Sequence, residues 1–481
     1  MPKVNLLEKF QDERIKIIGA EDLMLDRIPR LVYPDPADAE KCEYALGVLR
    51  APLQNIDNIV YRRDVARDFL ASDDLLDRLT AVAAGADGFR QEWQEKRKAL
   101  IAAHVSGEDN DPALEGKFRM LKLNLASFLE LSDRLGSLID ILASGALYAE
   151  GLLEFKETCI RLFASHAFSD VPRAKKLLAA DPGNFTAELL LGINENLSVE
   201  TVELNTLYTQ REKSDGAHEA GKKNRNYVSV KTVELVPMLV SALDTLNNQT
   251  VESCEELLKL FRELEQELRF YRFCIDLCGA FRRAGGTYIF PQVTEPESAV
   301  TSILDLRDPY EVLSAGKAVP HDILLTPERS GIVVTGEGGV GKTALLRAVC
   351  VSQILGQCGL PIICRDASLS IRSGIFVCFT DVSDPDRDPL RRFESEAQSM
   401  AKIIDSIAPY SLVALNELFE TVSFADASDA LYNIFSVMTQ SDISFLATTH
   451  LPRLAERFIE VDRITAMSMN SESKLEVMTN A

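Results

Sequence analysis

Residues 332–349 read IVVTGEGGVGKTALLRAV, and this stretch limits the fold around it more than any other part of the chain. A β-branched apolar run meets a cluster of glycines and then an apolar stretch of helical period, so the segment reads strand, turn, helix. Gly336-Glu337-Gly338-Gly339-Val340-Gly341-Lys342-Thr343 fits the pattern GxxxxGK[ST] in full. Each position has a physical task. The glycines let successive backbone N–H groups curl round phosphate oxygens, Lys342 neutralises the β and γ phosphates, and Thr343 ligates magnesium. The turn therefore predicts a nucleotide site.

The neighbouring segments predict the sheet that carries it. SGIVVTG, SGIFVCFTD, SLVALNE and ISFLATTH are short apolar runs separated by helical stretches, the alternation of a parallel, helix-covered sheet from about Ser302 onward. Between Met1 and about Pro309 a helical period dominates instead. In VESCEELLKLFRELEQELRFYRFCIDLCGAFRRAGG, Leu257, Leu258, Phe261, Leu264, Leu268, Phe273, Leu277 and Phe281 recur mostly at three- and four-residue steps. Arg282 and Arg283 suit the negative end of that helix, and Gly285 suits its left-handed cap. At over thirty residues it predicts a rod of roughly 50 Å, either a lever or a packed bundle helix. Around TLYTQREKSDGAHEAGKKNRNYVSVKT the pattern lapses, which predicts a polar tip or clamp loop near residues 205–232. Arg211, Lys213, Lys222, Lys223, Arg225 and Lys231 make that loop locally basic.

Composition narrows the classes. A chain of 481 residues exceeds what one core serves, so at least two domains are expected: a helical core and lever over 1–300 and a P-loop domain over 301–481. A net charge of −21 argues against a surface that coats nucleic acid, because counterion release needs clustered Lys and Arg; a local basic patch stays compatible with it. The charged N-terminus and the lack of a bilayer-length apolar run predict a cytoplasmic protein with no membrane partner. The nine cysteines have no zinc-ribbon spacing, and Cys274 with Cys278 sit at a helical step, so buried reduced thiols are expected.

Hydrolysis needs more than a phosphate cradle. The apolar run Ser411 to Leu415 ends in Asn416-Glu417, where a second strand of such a domain delivers a polar pair beside the metal. Glu417 would polarise the attacking water, and Asn416 would stand in the metal shell with Thr343 as the direct ligand. SFLATTH ends a further strand in Thr448, Thr449 and His450, and a histidine there can reach the γ-phosphate. Asp426 lies between them in TVSFADASDA.

Taken in order, these residues resemble the MutS family of DNA mismatch-repair ATPases. The glycine turn, the SLVALNEL strand end, Asp426 at the family's D-loop position and TTH at its histidine switch fall at compatible spacings. RDPYEVLSAGKAVPHDILL looks like the family's segment leading into the ATPase domain, with His321 where an Asn is more common. LRAPLQNIDNIVYRRDVARDFL resembles the start of its helical core, and DPLRRFESEAQSMAKII its signature loop and helix, with Phe393 and Glu396 at the expected separation. The resemblance covers roughly Cys42 to Arg457.

The resemblance implies an all-helical core and lever ahead of an ABC-class P-loop NTPase α/β domain. Two subunits would sandwich two ATP molecules with Mg2+, as a homodimer or a heterodimer with a related ATPase, and long helices would clamp DNA and report nucleotide state. Gly336 to Thr343 would hold the phosphates, Glu417 would activate water and His450 would sense the γ-phosphate. The chain departs from the family at three places. The signature loop presents Arg391-Arg392 where a Ser or Thr is usual, so one of these arginines is expected to act in trans. Asn416 replaces the usual Asp, which predicts slow hydrolysis or a binding-dominated switch. The helical region begins near the N-terminus, so mismatch reading itself is not expected. Three other readings compete: a signalling NTPase, a partition ATPase, and an interaction protein with a vestigial site acting on a protein partner without DNA. The first two place the glycine turn differently in the chain.

Overall fold

The computed structural model describes residues 4–72, 74–105, 112–164, 185–193, 199–209, 232–379, 389–419, 423–450, 452–459 and 461–479. Two compact units divide the chain: Met1–Asn5, Ser72–Tyr148 and Leu152–Leu268 in the first, and Leu6–Ala71, Ala149–Gly151 and Arg269–Ala481 in the second. A boundary at residue 300 follows the change in sequence texture, whereas the contacts place Leu6–Ala71 with the strand-rich C-terminal part.

The helices before residue 300 are α1 (Arg27–Val32), α2 (Ala39–Leu49), α3 (Ile56–Ala71), α4 (Leu75–Ala83), α5 (Ala86–Val105), α6 (Pro112–Ser144), α7 (Glu150–Phe163) and α8 (Thr232–Arg283). In the first unit α6 buries Leu121, Leu125, Phe128, Leu131, Leu135, Leu138 and Leu142, one stripe at helical spacing. Each such leucine contributes about 1.5–3 kcal/mol of burial free energy. A buried polar chain crosses this unit: Trp93 Nε1 donates to Asn124 Oδ1 at 3.1 Å, and Asn124 Nδ2 donates to Asn247 Oδ1 at 3.0 Å. It joins α5, α6 and α8 with every partner on a different helix, which fixes their mutual rotation.

Helix α8 has 52 residues, roughly 78 Å at 1.5 Å per residue, and so extends well upstream of the segment legible from its apolar period. The polar segment DTLNNQTVES separates the apolar TVELVPMLVSAL from the legible part and hides the continuation. At the other end Gly285 takes φ 76° and Gly286 N donates to Phe281 O at 2.9 Å, the left-handed stop that Gly285 predicts.

The N-terminal 300 residues are not all helical. Strands β2 (Phe185–Ile193) and β3 (Val199–Thr209) pair antiparallel, with register shifts at Glu188/Leu189 and Gly192/Ile193. VETVELNTLYT is rich in β-branched residues, and its bulged register breaks the strict alternation that marks a strand. Residues 205–209 of the expected tip belong to β3, and the remainder of that loop, with its basic run, lies outside the described residues.

In the second unit a seven-stranded sheet has the order β1-β11-β12-β13-β8-β14-β15. Its members are β1 (Lys16–Ile18), β8 (Gly331–Thr335), β11 (Gly374–Phe379), β12 (Leu412–Asn416), β13 (Ser444–Thr449), β14 (Ile464–Met469) and β15 (Leu475–Val477); all pairs are parallel except β14 with β15. Strands β8, β12 and β13 are buried at every residue, as a parallel sheet covered on both faces requires. Helix α9 (Pro309–Ala315) precedes α10 (Lys342–Gln357), which is buried along most of its length. Val413, Leu415, Phe445 and Ala447 face a core built with α11 (Pro389–Ile404), α12 (Phe424–Gln440) and α13 (Pro452–Glu456). Period-2 alternation then puts Asn416 and Thr448 on the opposite face, toward α10. A second sheet, β5-β10-β6-β7, combines Gln292–Thr294, Asp366–Ser370, Thr301–Leu306 and His321–Leu325, and β4 (Tyr288–Ile289) pairs with β9 (Ile362–Ile363).

Strand β1 is the contribution of the N-terminal segment to this unit. It lies parallel to β11 with Ile17 opposite Ile375, and the chain then turns at Gly19, φ 77°. A Cβ there would stand 2.1 Å from Val377 O, so only glycine permits the approach. Three residues on, Asp22 Oδ2 accepts from Phe379 N at 3.0 Å and ties off the carboxyl end of β11.

All nine cysteines are free, and eight are buried; burial pushes the Cys350 and Cys358 thiols up to about 12, which removes them as nucleophiles. Among the described residues no helix is long and apolar enough to cross a membrane.

Candidate functional site

The glycine turn leaves the carboxyl end of β8, Asn416 and Glu417 leave that of β12, and His450 that of β13. Since β12, β13 and β8 are parallel neighbours, topology alone brings these residues to one edge of the sheet, where open α/β sheets bind ligands. Gly336, Gly339 and Gly341 have φ of 154°, 81° and 104°. A Cβ on Gly336 would stand 2.5 Å from Met469 O. Gly341 caps α10 with no side-chain hydrogen bond and no acid in the first helical turn, so the first N–H groups are open to an anion.

Lys342 is 3% exposed, and a buried ammonium has to be paired. Its Nζ donates to Gly336 O and Glu337 O, both at 2.9 Å, and to His450 Nδ1 at 3.3 Å. Those three bonds match the three protons of the ammonium. Glu417 Oε1 lies 3.6 Å from Lys342 Nζ and 2.7 Å from His450 Nε2. With Nδ1 accepting, the imidazole carries its proton on Nε2 and donates it to Glu417, so lysine, histidine and glutamate form one continuous chain.

A second cluster adjoins it. Asn416 Oδ1 accepts from Thr343 Oγ1 at 2.9 Å and from Thr448 Oγ1 at 2.8 Å. A carboxylate oxygen would accept the same two hydroxyls, so Asn416 preserves that geometry while removing one negative charge. Thr343 gives its only proton to Asn416 and keeps its lone pairs for a cation. Among the described residues no group of three or more His, Cys, Asp or Glu is arranged to hold a metal. A hydroxyl beside an amide oxygen fits magnesium, which is held by few protein oxygens together with phosphates.

Glu337, Gly338 and Val340 complete the turn; a Cβ on Gly338 would lie 3.8 Å from His450 Cε1, and Val340 O accepts from Ser473 Oγ at 2.6 Å. Ser473 belongs to the β14–β15 hairpin, whose Lys474 also lines a cleft of about 510 Å³ with Asp305, Arg307, His321, Asp322 and Arg365. Burial holds the His321 pKa below its usual value, which favours a neutral ring in this charged cleft.

Asp426 stands apart from both clusters. It is exposed in the first turn of α12, its backbone N–H donates to Ser423 Oγ at 3.3 Å, and its Oδ2 accepts from the Ser423 hydroxyl at 2.5 Å. Those two bonds form a helix cap, a structural task. Arg391 and Arg392 fall in the first turn of α11, and their side chains lie outside the described residues. Asp22 carries no motif in the sequence; Thr448 is legible as a strand end, but its hydrogen bond to Asn416 is readable only through the strand register.

A doubly wound α/β domain with a glycine-rich strand-turn-helix, and with polar residues gathered at the carboxyl ends of the neighbouring strands, is the class these features define. Residues 332–480 match the family model described as MutS domain V. An Endonuclease MutS2 of Lactococcus lactis subsp. cremoris is 24% identical over 410 residues, 83% of this chain and 51% of its own length. The Endonuclease MutS2 of Streptococcus gordonii is 28% identical over 259 residues, covering 50% of this chain and 32% of its own length. That of Gemmatimonas aurantiaca is 26% identical over 253 residues, covering 49% and 30%. The chain spans about half the length of these relatives, or less, and its similarity to the MutS family is strongest in the part that carries the glycine turn.

Proposed function

We propose that the chain is a MutS-like P-loop ATPase that couples ATP binding and hydrolysis to movement of helical arms, on double-stranded or branched DNA in repair or recombination. The observation that carries the proposal is the chain Lys342–His450–Glu417 at the mouth of the glycine turn, with Thr343 and Asn416 beside it. Gly336 to Thr343 hold the phosphates, and Lys342 exchanges its carbonyl partners for phosphate oxygens. Thr343 and Asn416 hold Mg2+, which when bound neutralises phosphate charge. Glu417 polarises water as general base, and His450 reports an occupied site through its contacts to both Lys342 and Glu417. The cleft bounded by the β14–β15 hairpin is the place for the nucleoside, because Ser473 ties that hairpin to the turn.

A dimer, homotypic or with a related ATPase, would place Arg391 or Arg392 of one subunit toward the nucleotide of the other, and Asp426 would stand at the family's D-loop position. The output is a conformational change on a bound partner. The family match favours DNA as that partner over a protein-only switch.

Isothermal titration of Mg-ATP into the intact chain tests the nucleotide reading: one saturable event is expected, and no binding up to millimolar ATP would end it. For DNA, affinity for a duplex or junction should fall steeply between 50 and 200 mM salt, by about 10³-fold or more if at least six phosphates are contacted. A chain that binds no duplex, junction or single strand at low salt would move the partner to protein.

A further inference from the structure

We infer that Glu396 of helix α11 is a positioning residue for Glu417, so that this helix sets how well the site hydrolyses ATP. The inference rests on the reading of Glu417 as the base, and it adds the device that aims that base.

Glu417 and Phe419 have φ of 54° and 61°, the left-handed region that non-glycine residues rarely hold without support. Two such residues within three positions, directly after β12, make a turn that the surroundings must maintain. Glu417 N donates to Thr448 O at 3.1 Å, which anchors the first residue to β13. Phe419 N donates to Glu396 Oε2 at 2.9 Å, which anchors the last residue to α11. The Phe419 ring packs against Phe393, one turn earlier on the same helix, with centroids 5.6 Å apart. Leu418 and Phe419 are buried in the cluster that also holds Met400 and Ile403 of α11.

Glu396 is itself 5% exposed, and a buried carboxylate persists only where hydrogen-bond donors meet it. The backbone N–H of the strained turn is one such donor. Phe393 and Glu396 thus grip Phe419 from one helix face, two residues from the Glu417 carboxylate. Arg391 and Arg392 begin the same helix. Any displacement of its first turns, such as contact with a second subunit, would pass through Glu396 to the base, and an error of about 1 Å there suffices to change the rate on the order of 100-fold.

The test compares Glu396→Ala, Glu396→Asp, Glu396→Gln and Glu417→Gln in the full chain, with kcat and KM from phosphate release and ATP affinity from titration. Glu396→Ala should lower kcat by about 10- to 100-fold with KM and affinity within about twofold. Glu396→Asp keeps the buried charge but shortens its reach, so it should lose kcat likewise and carries the test if the alanine variant does not fold. Glu396→Gln, whose amide oxygen still accepts from Phe419 N, should recover most of the rate. Parental kcat in the Ala and Asp variants, or a loss of ATP affinity parallel to the loss of kcat, overturns the inference. If Glu417→Gln stops turnover while the Glu396 variants run at the parental rate, only the positioning role fails. If Glu417→Gln also turns over normally, the assignment of the base falls and the inference with it.

Discussion

Glu417→Gln is expected to lower steady-state ATP turnover by about 10²- to 10⁴-fold while ATP affinity stays within about threefold of the parent. The substitution is isosteric. The amide oxygen still accepts the Nε2 proton of His450, a contact of 2.7 Å in the parent, so the imidazole keeps its place and its tautomer. Lys342 retains all three donor contacts, to Gly336 O, Glu337 O and His450 Nδ1, and the phosphate-facing side of the site is undisturbed. What disappears is the negative charge 3.6 Å from the ammonium and the capacity to take a proton from water. Loss of that charge also removes a competitor for Lys342, so any change in affinity should be toward tighter binding. A variant that hydrolyses ATP at the parental rate would remove Glu417 as the base.

Gly19→Ala is the second large effect, and it acts far from any motif. Its φ of 77° costs an L-residue about 1–2 kcal/mol, and its Cβ would lie 2.1 Å from the Val377 backbone oxygen, an overlap that rotamer changes cannot relieve. Adding about 1–3 kcal/mol for the displacement gives a loss of about 2–5 kcal/mol, read as a lowered midpoint of urea unfolding. Strand β1 would part from β11, and with it the Asp22 contact to Phe379, the residue opposite Asn416. Gly47→Ala is the control: it lies within α2 with nothing within 4 Å of its added carbon, so it should stabilise by about 0.5–1 kcal/mol. Equal, small effects of the two substitutions would show that the N-terminal strand is dispensable to this unit.

Legibility from sequence followed the strength of the local signal. β8, β11, β12 and β13 are apolar at nearly every position because they are buried on both faces, and this makes them visible as runs. The polar residues that end those runs, Asn416-Glu417 and Thr449-His450, could then be placed at one edge by topology alone. β1 was not visible: three residues, KII, inside a charged segment carry no periodic signal, and the strand exists because β11 offers it an edge. The β2–β3 hairpin carries no clean strand signal for the reason its bulges suggest, an interrupted alternation. The sequence shows only the later part of helix α8, because the polar segment DTLNNQTVES interrupts its apolar period. Within the site, Glu396 could be matched by its spacing from Phe393, but its task could not, since nothing in the sequence marks Glu417 and Phe419 as left-handed. Asp426 is the converse: a residue singled out by position whose described bonds are those of a helix cap.

The site as a whole stands or falls on one measurement, phosphate release by the intact chain as a function of ATP, with and without Mg2+, beside Lys342→Ala. A lysine whose ammonium bridges the glycine turn, His450 and Glu417 cannot be removed without opening the phosphate site. Saturable, Mg2+-dependent release by the parent and only background release by Lys342→Ala is the predicted result. Release of equal rate in both proteins, or none by the parent at any ATP concentration, would contradict it.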